Sequence, residues 1–182
     1  MVITWKEWKN VEQKAAVKEL YHSAFPKEER LPWWLLRLIS LRRQMGITAY
    51  YADEAFCGMT VSVGTEETLF LLFFAVAEDC RGKGCGSAIL ELLQRENPRR
   101  SIVLNVEIPD EKAENAAQRI RRMRFYKRNG FFDTGFNIDE VGGTFRVLSN
   151  RALDVPAYQR VFARLSYGWW KPYIRPVEED ET

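Results

Sequence analysis

The segment "RGKGCGS" (81–87) sets Gly82, Gly84 and Gly86 between Arg81, Lys83, Cys85 and Ser87. An apolar run, "TLFLLFFAVA" (68–77), precedes it, and "SAILELLQR" (87–95) follows with helical spacing. A turn that opens a helix leaves unpaired N–H groups at the positive end of the helix dipole. Glycines there remove the Cβ atoms that would hold an anion away from those groups. With Arg81 and Lys83 alongside, the chemistry indicated is a cradle for phosphate or pyrophosphate. The spacing is not that of a P-loop, whose lysine closes the loop, nor the G-x-G-x-x-G of dinucleotide folds. Read without a ligand, the same residues are a flexible tight turn.

The rest of the composition removes other chemistries. The chain has 182 residues, 46% of them hydrophobic, enough for a core and too apolar for global disorder. A net charge of +2 does not by itself argue for a polyanion partner. His22 is the only histidine, so His-based triads and multi-His metal sites are nearly excluded, and no metal is expected. Cys57, Cys80 and Cys85 form no CxxC pair, which suggests neither zinc nor a disulfide framework and fits a reducing cytoplasm. The opening "MVITWKEWKNVEQK" carries charges where a signal peptide needs an apolar core. The longest apolar run, 69–77, is too short to span a bilayer as a helix, so no membrane association is expected.

Stepping outward from the loop, "VEQKAAVKELYHSAF" (11–25) predicts an amphipathic helix with Val11, Ala15, Leu20 and Phe25 in phase. "LPWWLLRLISLRRQMG" (31–46) predicts a second, with Pro32 in its first turn and Gly46 at its stop. "ITAYYA" and "FCGMTVSV" flank the turn-like "DE" as a hairpin, and 68–77 suits a central buried strand. In the helix after the loop, Ala88, Ile89, Leu92 and Leu93 share a face. "SIVLNVEIP" (101–109) alternates, with Val103, Asn105 and Glu107 on one face. A helix is predicted over 111–130, stopped by Asn129-Gly130, then a hairpin over 134–149 with a Gly-Gly turn. The amphipathic "AYQRVFARLSYGWW" precedes the acidic tail "EEDET". Two helices, three strands, helix, strand, helix and hairpin make one mixed α/β sheet with helices packed on it.

In this setting "RGKGCGS" resembles the Arg/Gln-x-x-Gly-x-Gly/Ala signature of the GNAT superfamily, the acetyl-CoA-dependent N-acyltransferases. "RFYKRNGF" (124–131), some forty residues on, is similar to the family's Tyr-x-x-x-Gly-Phe element and places Tyr126 before Gly130-Phe131. The element order matches over roughly 3–150. The resemblance implies a mostly antiparallel mixed sheet of the α+β GNAT type in a single domain spanning 1–182. Beyond the core it leaves a helical extension at 151–176 and an acidic tail at 177–182. It implies acetyl-CoA as co-substrate. The backbone of Arg81, Gly82, Lys83, Gly84, Cys85, Gly86 and Ser87 then holds the pyrophosphate, and that of Phe74 and Val76 pairs with the pantetheine arm.

The reaction so implied is attack of an acceptor nitrogen on the acetyl thioester in a ternary complex, with loss of CoA thiolate. A thiol titrates near ~8.5 and a tyrosine near ~10, close enough for useful proton transfer. The family gives Tyr126 the role of general acid; otherwise it is a packing aromatic beside Met123. Glu107 is a candidate base, since a carboxylate near the end of an apolar strand can have a raised pKa. Its alternative is an ion pair with nearby arginines, and water is a further proton acceptor. No base is visible to activate Cys85 for a covalent acyl-enzyme, so it supplies its backbone N–H. The family often carries Asn one or two turns before the tyrosine; Arg119 occupies that place, which leaves cofactor contacts by this helix open.

Two clusters are weighed against chemistry. Arg119, Arg121, Arg122, Arg124, Lys127 and Arg128 surround much of a helix near its C-terminus, where cations are favourable, and read as a solvated face. No interleaved aromatic platform accompanies them, so no nucleic acid is expected. Trp33, Trp34, Glu28 and Glu29 would suit a rim around a cationic amine, but core packing by one Trp is the plainer reading. The sequence therefore points to an N-acetyltransferase acting on a small-molecule or peptide amine. Its rivals are a non-catalytic acyl-CoA-binding domain of the same fold and a nucleic-acid module. The aromatics of "YQRVFARLSYGWWKPYIRP" either cap the core or form an interface, as in a homodimer.

Overall fold

A computed structural model describes residues 1–27, 29–42, 44–140, 143–166, 168 and 171–177. Glu28, the first glycine of the Gly-Gly turn, Trp169, Trp170 and tail residues 178–182 lie outside the described residues. The strands are β1 (Ile3–Glu7), β2 (Met45–Ala52), β3 (Ala55–Gly64), β4 (Thr68–Val76), β5 (Ser101–Glu107), β6 (Phe132–Glu140), β7 (Gly143–Ser149) and β8 (Tyr173–Pro176). The helices are α1 (Lys14–Ala24), α2 (Trp33–Ile39), α3 (Cys85–Glu96), α4 (Ala116–Arg128) and α5 (Val155–Leu165). The eight strands run in the order β1-β2-β3-β4-β5-β7-β6-β8. β1–β2, β2–β3, β5–β7, β6–β7 and β6–β8 pair antiparallel and β4–β5 parallel, so the sheet is mixed and mostly antiparallel, as expected. Among the described residues no helix is long and apolar enough to cross a membrane.

The chain divides into two compact units, Met1–Gly64 with Leu71–Pro98, and Thr65–Phe70 with Arg99–Thr182. In the first, β2 and β3 form the expected hairpin, with Asp53 (φ 46°) and Glu54 (φ 72°) at its turn. Two residues in the left-handed region match the twist of the strands they join. The side chain of Asp53 accepts from the amide of Val2, and its own amide donates to Val2's carbonyl, which pins β1 to the turn. α1 buries Val17, Leu20 and Tyr21, whereas Ala15, expected on that face, is exposed. The ring of Tyr21 meets Phe73 edge-on at 5.1 Å.

α2 is shorter than expected. It ends at Ile39, and Met45-Gly46 open β2 instead of closing a helix, because Met45, Ile47 and Ala49 bury one face of that strand. α3 buries Ile89, Leu90 and Leu92, and Ile89 and Leu92 cluster with Tyr50 and Cys57.

In the second unit, β5 takes β4 as a parallel partner where Thr68, Leu69 and Phe70 face Ser101, Ile102 and Val103. It takes β7 antiparallel from Val103 to Glu107. α4 starts at Ala116, five residues later than expected, after turns in which Asp110 accepts from the amide of Lys112. α5 is capped by Asp154, whose carboxylate accepts from the amide of Ala157 at 2.9 Å. The buried face of α5 carries Tyr158 and Phe162, whose rings meet that of Phe70 edge-on at 5.6 Å and tilted at 5.2 Å. The segment expected as a helical extension also holds β8, which pairs with β6.

Candidate active site

The glycine loop lies where the sequence put it. β4 ends at Val76, a single 3-10 turn (Glu78–Cys80) follows, and α3 begins at Cys85. Gly82 (φ 72°) and Gly84 (φ 85°) hold the left-handed conformation that turns the chain into the helix. A Cβ added to Gly82 would meet nothing within 4 Å, and one on Gly84 only the tip of Met1 at 3.9 Å, so the loop faces open space. Gly84 is the N-cap, and no side chain caps the helix. The first bond into the loop runs from the amide of Ala88 to the carbonyl of Gly84, which leaves the amides of Cys85, Gly86 and Ser87 without intrahelical partners.

Two loop amides are engaged locally. That of Arg81 donates to Glu78 at 3.0 Å and that of Lys83 to Cys80 at 3.4 Å. The donors free for an anion are thus those of Gly82, Gly84 and the first helical turn. Lys83 and Ser87 are exposed. The guanidinium of Arg81 folds back, its Nε donating to the carbonyl of Val76 at 3.2 Å. Cys85 turns its thiol into the core beside Tyr50, Cys57, Ile89 and Leu92, away from any nucleophilic role. Burial, followed by the neighbouring thiols, pushes the Cys57 thiol up to about 12. Phe74 and Val76 have half-buried side chains at the end of β4. All nine residues assigned to the cofactor fall in the first unit, on one strand–turn–helix segment.

Glu107 and Tyr126 belong to the second unit. Tyr126 is buried near the end of α4, its ring 5.2 Å from that of Phe125 and 6.0 Å from that of Phe131. Its carbonyl accepts from the amides of Asn129 and Phe131, which closes the helix and sets the ring against Phe131. Burial pushes the phenol up to about 12, opposed by the charge of Arg122.

The value expected for Glu107 is reversed. Burial alone would raise its pKa, but the Asn115 hydrogen bond and the charges of Arg122 and Arg119 outweigh it, and the pKa is lowered. Arg119 lies 3.0 Å from one carboxylate oxygen and Arg122 2.7 Å from the other, while Asn115 donates at 3.0 Å. A carboxylate so held is a poor base; it is the anchor of an ion-pair cluster. Arg119 is fully engaged there, donating also to Asn115 at 2.7 Å and to the carbonyl of Ile108 at 3.1 Å. The arginine face of α4 is therefore partly neutralised from within the fold. Trp33 packs on Trp8 and Tyr21, and Trp34 is 67% exposed, so one Trp packs as the plainer reading had it.

A cluster not singled out in the sequence lies on the same face of β5. Tyr158 donates its hydroxyl to the Asn105 Oδ1 at 2.7 Å, and Asn105 donates its Nδ2 to the carboxylate of Glu140, the last residue of β6. Burial pushes the Glu140 carboxyl up to about 6 against that hydrogen bond. Burial and then the Glu140 charge hold the Tyr158 phenol well above its ordinary range. The alternation of β5 marked Asn105 as polar in an apolar strand, which was the available signal.

The acetyltransferase (GNAT) domain family matches residues 45–132, from β2 through the loop and Tyr126 to the start of β6. Over that stretch, just under half of the chain, the sequence matches a GNAT acetyltransferase domain. No curated protein matches by sequence. A protein of Bacteroides thetaiotaomicron assigned to the GNAT acetyltransferases superposes with a TM-score of 0.73 at 24% identity, over 93% of this chain and 100% of that one. An aminoglycoside 6'-N-acetyltransferase complexed with coenzyme A gives 0.61 at 14% identity, over 82% and 96%. The ribosomal-protein-S18-alanine N-acetyltransferase of Escherichia coli gives 0.59 at 17%, over 81% and 92%. These likenesses are of fold.

Proposed function

We propose that the protein transfers the acetyl group of acetyl-CoA to a primary amine by direct attack in a ternary complex. The observation that carries this reading is the open loop with left-handed Gly82 and Gly84 before an uncapped α3. Free amides, a helix N-terminus and two exposed cations suit a diphosphate, and the residues fit the group. Arg81 and Lys83 supply charge, and the backbone of Phe74 and Val76 receives the pantetheine arm. A thiol buried in the core leaves no acyl-enzyme route through Cys85. The acceptors named for the aminoglycoside and S18-alanine enzymes are amines, which supports the acceptor class. Three free thiols suit a reducing cytoplasm.

Tyr126 serves the leaving group. Its phenol, pushed up to about 12, stays protonated across the working pH range. Since a thiol titrates near ~8.5, complete transfer to the thiolate is uphill, and the gain comes from a hydrogen bond as charge builds on sulfur.

The test is a thermal shift with acetyl-CoA, followed by thiol release over a panel of amines. A ligand at ~100 times its Kd adds roughly 2.7 kcal/mol of stability. Stabilisation with amine-dependent thiol release is the expected result. Stabilisation without release from any amine would leave an acyl-CoA-binding domain, and no shift at millimolar acetyl-CoA would end the reading.

A further inference from the structure

α1 and α2 each contribute two side chains, one helical turn apart, to a single cleft. On α1 these are Lys14 and Lys18, and on α2 Trp33 and Arg37; Trp8 and Ala15 complete the lining of a space of about 290 Å³. All six residues belong to the first unit. Lys14, Lys18 and Tyr21 follow the helical repeat along α1. At the far end of that stripe Tyr21 is buried and packs on Trp33 at 5.5 Å. Near the helix start two lysines stand where apolar contacts would continue, and Ala15 is too short to fill the gap. That is why Ala15, expected on the buried face, is exposed.

The walls are aromatic and fixed. Trp8 meets Trp33 at 5.3 Å with the ring planes at 83°. Trp33 leans on Tyr21, which is fully buried and meets Phe73 edge-on. The charge is of one sign, because no lining residue is acidic. Glu7 and Glu12, on either side of Trp8 in sequence, pair with Lys9 and Lys6. Among the described residues Lys14, Lys18 and Arg37 form no ion pair, and Lys14 rests over the Trp8 ring at 5.7 Å. The excess of positive charge reaches His22, whose ring is 6.3 Å from that of Trp33: burial and then the charges of Arg30 and Lys18 lower its pKa. Like charges one turn apart, as at Lys14 and Lys18, destabilise a helix, and an anion between them removes that cost. From the sequence, Trp33 with Glu28 and Glu29 would suit a cationic amine; the cleft at Trp33 is instead lined by cations.

We propose that this cleft binds a small aromatic anion, a flat ring bearing a carboxylate or a phosphate. The ring stacks on the indoles of Trp8 and Trp33. The anionic group is held by Lys14, Lys18 and Arg37, whose planar fork suits either oxyanion. Drawing Lys14 toward the anion lifts it from the Trp8 face and frees that face for the ring. Walls already set by packing lose little freedom when the ligand enters. An aromatic amine is repelled by the same three cations, and a small anion without a ring leaves the indoles uncovered. The proposal uses no residue of the glycine loop and is independent of the acetyl-transfer reading.

The experiment follows the indole N–H groups of the full chain in ¹H–¹⁵N spectra during titration with phenylacetate, phenyl phosphate, acetate and phenethylamine. Phenylacetate or phenyl phosphate should shift the Trp8 and Trp33 indoles saturably, and the tighter of the two identifies the anionic group. Acetate and phenethylamine at the same concentrations should leave both indoles in place. Trp34, exposed on α2 and outside the lining, should stay still throughout. Lys18→Gln and Arg37→Gln change exposed side chains. Each should weaken binding roughly tenfold, the worth of one bond to a charged group, and leave the melting temperature and the acetyl-CoA Kd unchanged. Neither aromatic anion shifting Trp8 and Trp33 at millimolar concentration would overturn the proposal. So would equal shifts with acetate or phenethylamine, or unchanged affinity in both variants. Acetyl transfer stands or falls separately, by thiol release.

Discussion

The Nε of Arg81 donates to the main-chain carbonyl of Val76 at 3.2 Å, so the first cation of the loop rests on the end of β4. Both residues were assigned to the cofactor, and the bond links the two assignments. A diphosphate offers the guanidinium charged oxygens in place of a neutral carbonyl, and its release frees the Val76 oxygen for the pantetheine arm. Arg81→Ala should therefore weaken acetyl-CoA by about tenfold, the worth of one charge-assisted bond near the surface. Calorimetry at low and at high salt checks it, because the loss should shrink as salt screens the phosphate. An unchanged Kd would remove Arg81 from the site.

Gly84 sits at φ 85° as the N-cap of α3, with open space beside it. Gly84→Ala should cost about 1–2 kcal/mol of stability from the left-handed backbone. It should cost more in acetyl-CoA affinity, because the added methyl lies where the diphosphate approaches. Melting temperature and Kd measured on one preparation separate the two effects. Equal losses would mean that the glycine serves only the turn.

Removing the Tyr126 hydroxyl leaves a buried ring that still meets Phe125 and Phe131. Tyr126→Phe should keep acetyl-CoA affinity and the melting temperature and lower kcat by about 10²-fold, the usual loss when one hydrogen-bond donor to developing charge is removed. Steady-state kinetics beside a binding isotherm decide it. A full rate would leave Tyr126 as a packing residue.

Glu107 and Glu140 should give opposite pH dependences of stability. The Glu107 pKa is lowered on folding, so its contribution is present above the unfolded value and lost as pH falls through the folded one. The Glu140 pKa is raised from 4.5 to about 6, so the folded state binds the extra proton and stability falls as pH rises through that window. Glu107→Gln should destabilise at pH 7, since Arg119 and Arg122 then face each other without their anion. Glu140→Gln should stabilise at pH 7 by up to about 2 kcal/mol, the equivalent of the shift. Denaturant melts of both variants at pH 4 and pH 7 check the signs.

The loop was legible because its elements are consecutive: an apolar strand, three glycines and a helix face lie within one short stretch. The β2–β3 hairpin was legible for the same reason. β1 was not, since four of its five residues are exposed and nothing alternates; it exists by pairing with β2 at the sheet edge. β8 is likewise a four-residue edge strand, ending in proline. The start of α4 was set too early because helical periodicity continues through 111–115, which tie to Asp110 and Glu107 as turns. The Glu140–Asn105–Tyr158 chain joins residues 35 and 53 positions apart. No local pattern relates them, and only the pairing of β5 and the packing of α5 bring them together. Of the two readings of Glu107, the ion pair with nearby arginines is the one the fold makes, because the cations arrive from α4.

The central claim is that backbone amides of the glycine loop hold the coenzyme's diphosphate. Amide ¹H–¹⁵N spectra recorded during titration with acetyl-CoA test it directly. The amides of Gly82, Gly84, Cys85, Gly86 and Ser87 should show the largest shifts and saturate together, with those of Arg81 and Lys83, already bonded to Glu78 and Cys80, moving less. Saturable binding that leaves those five resonances in place, or no binding at millimolar acetyl-CoA, would contradict it.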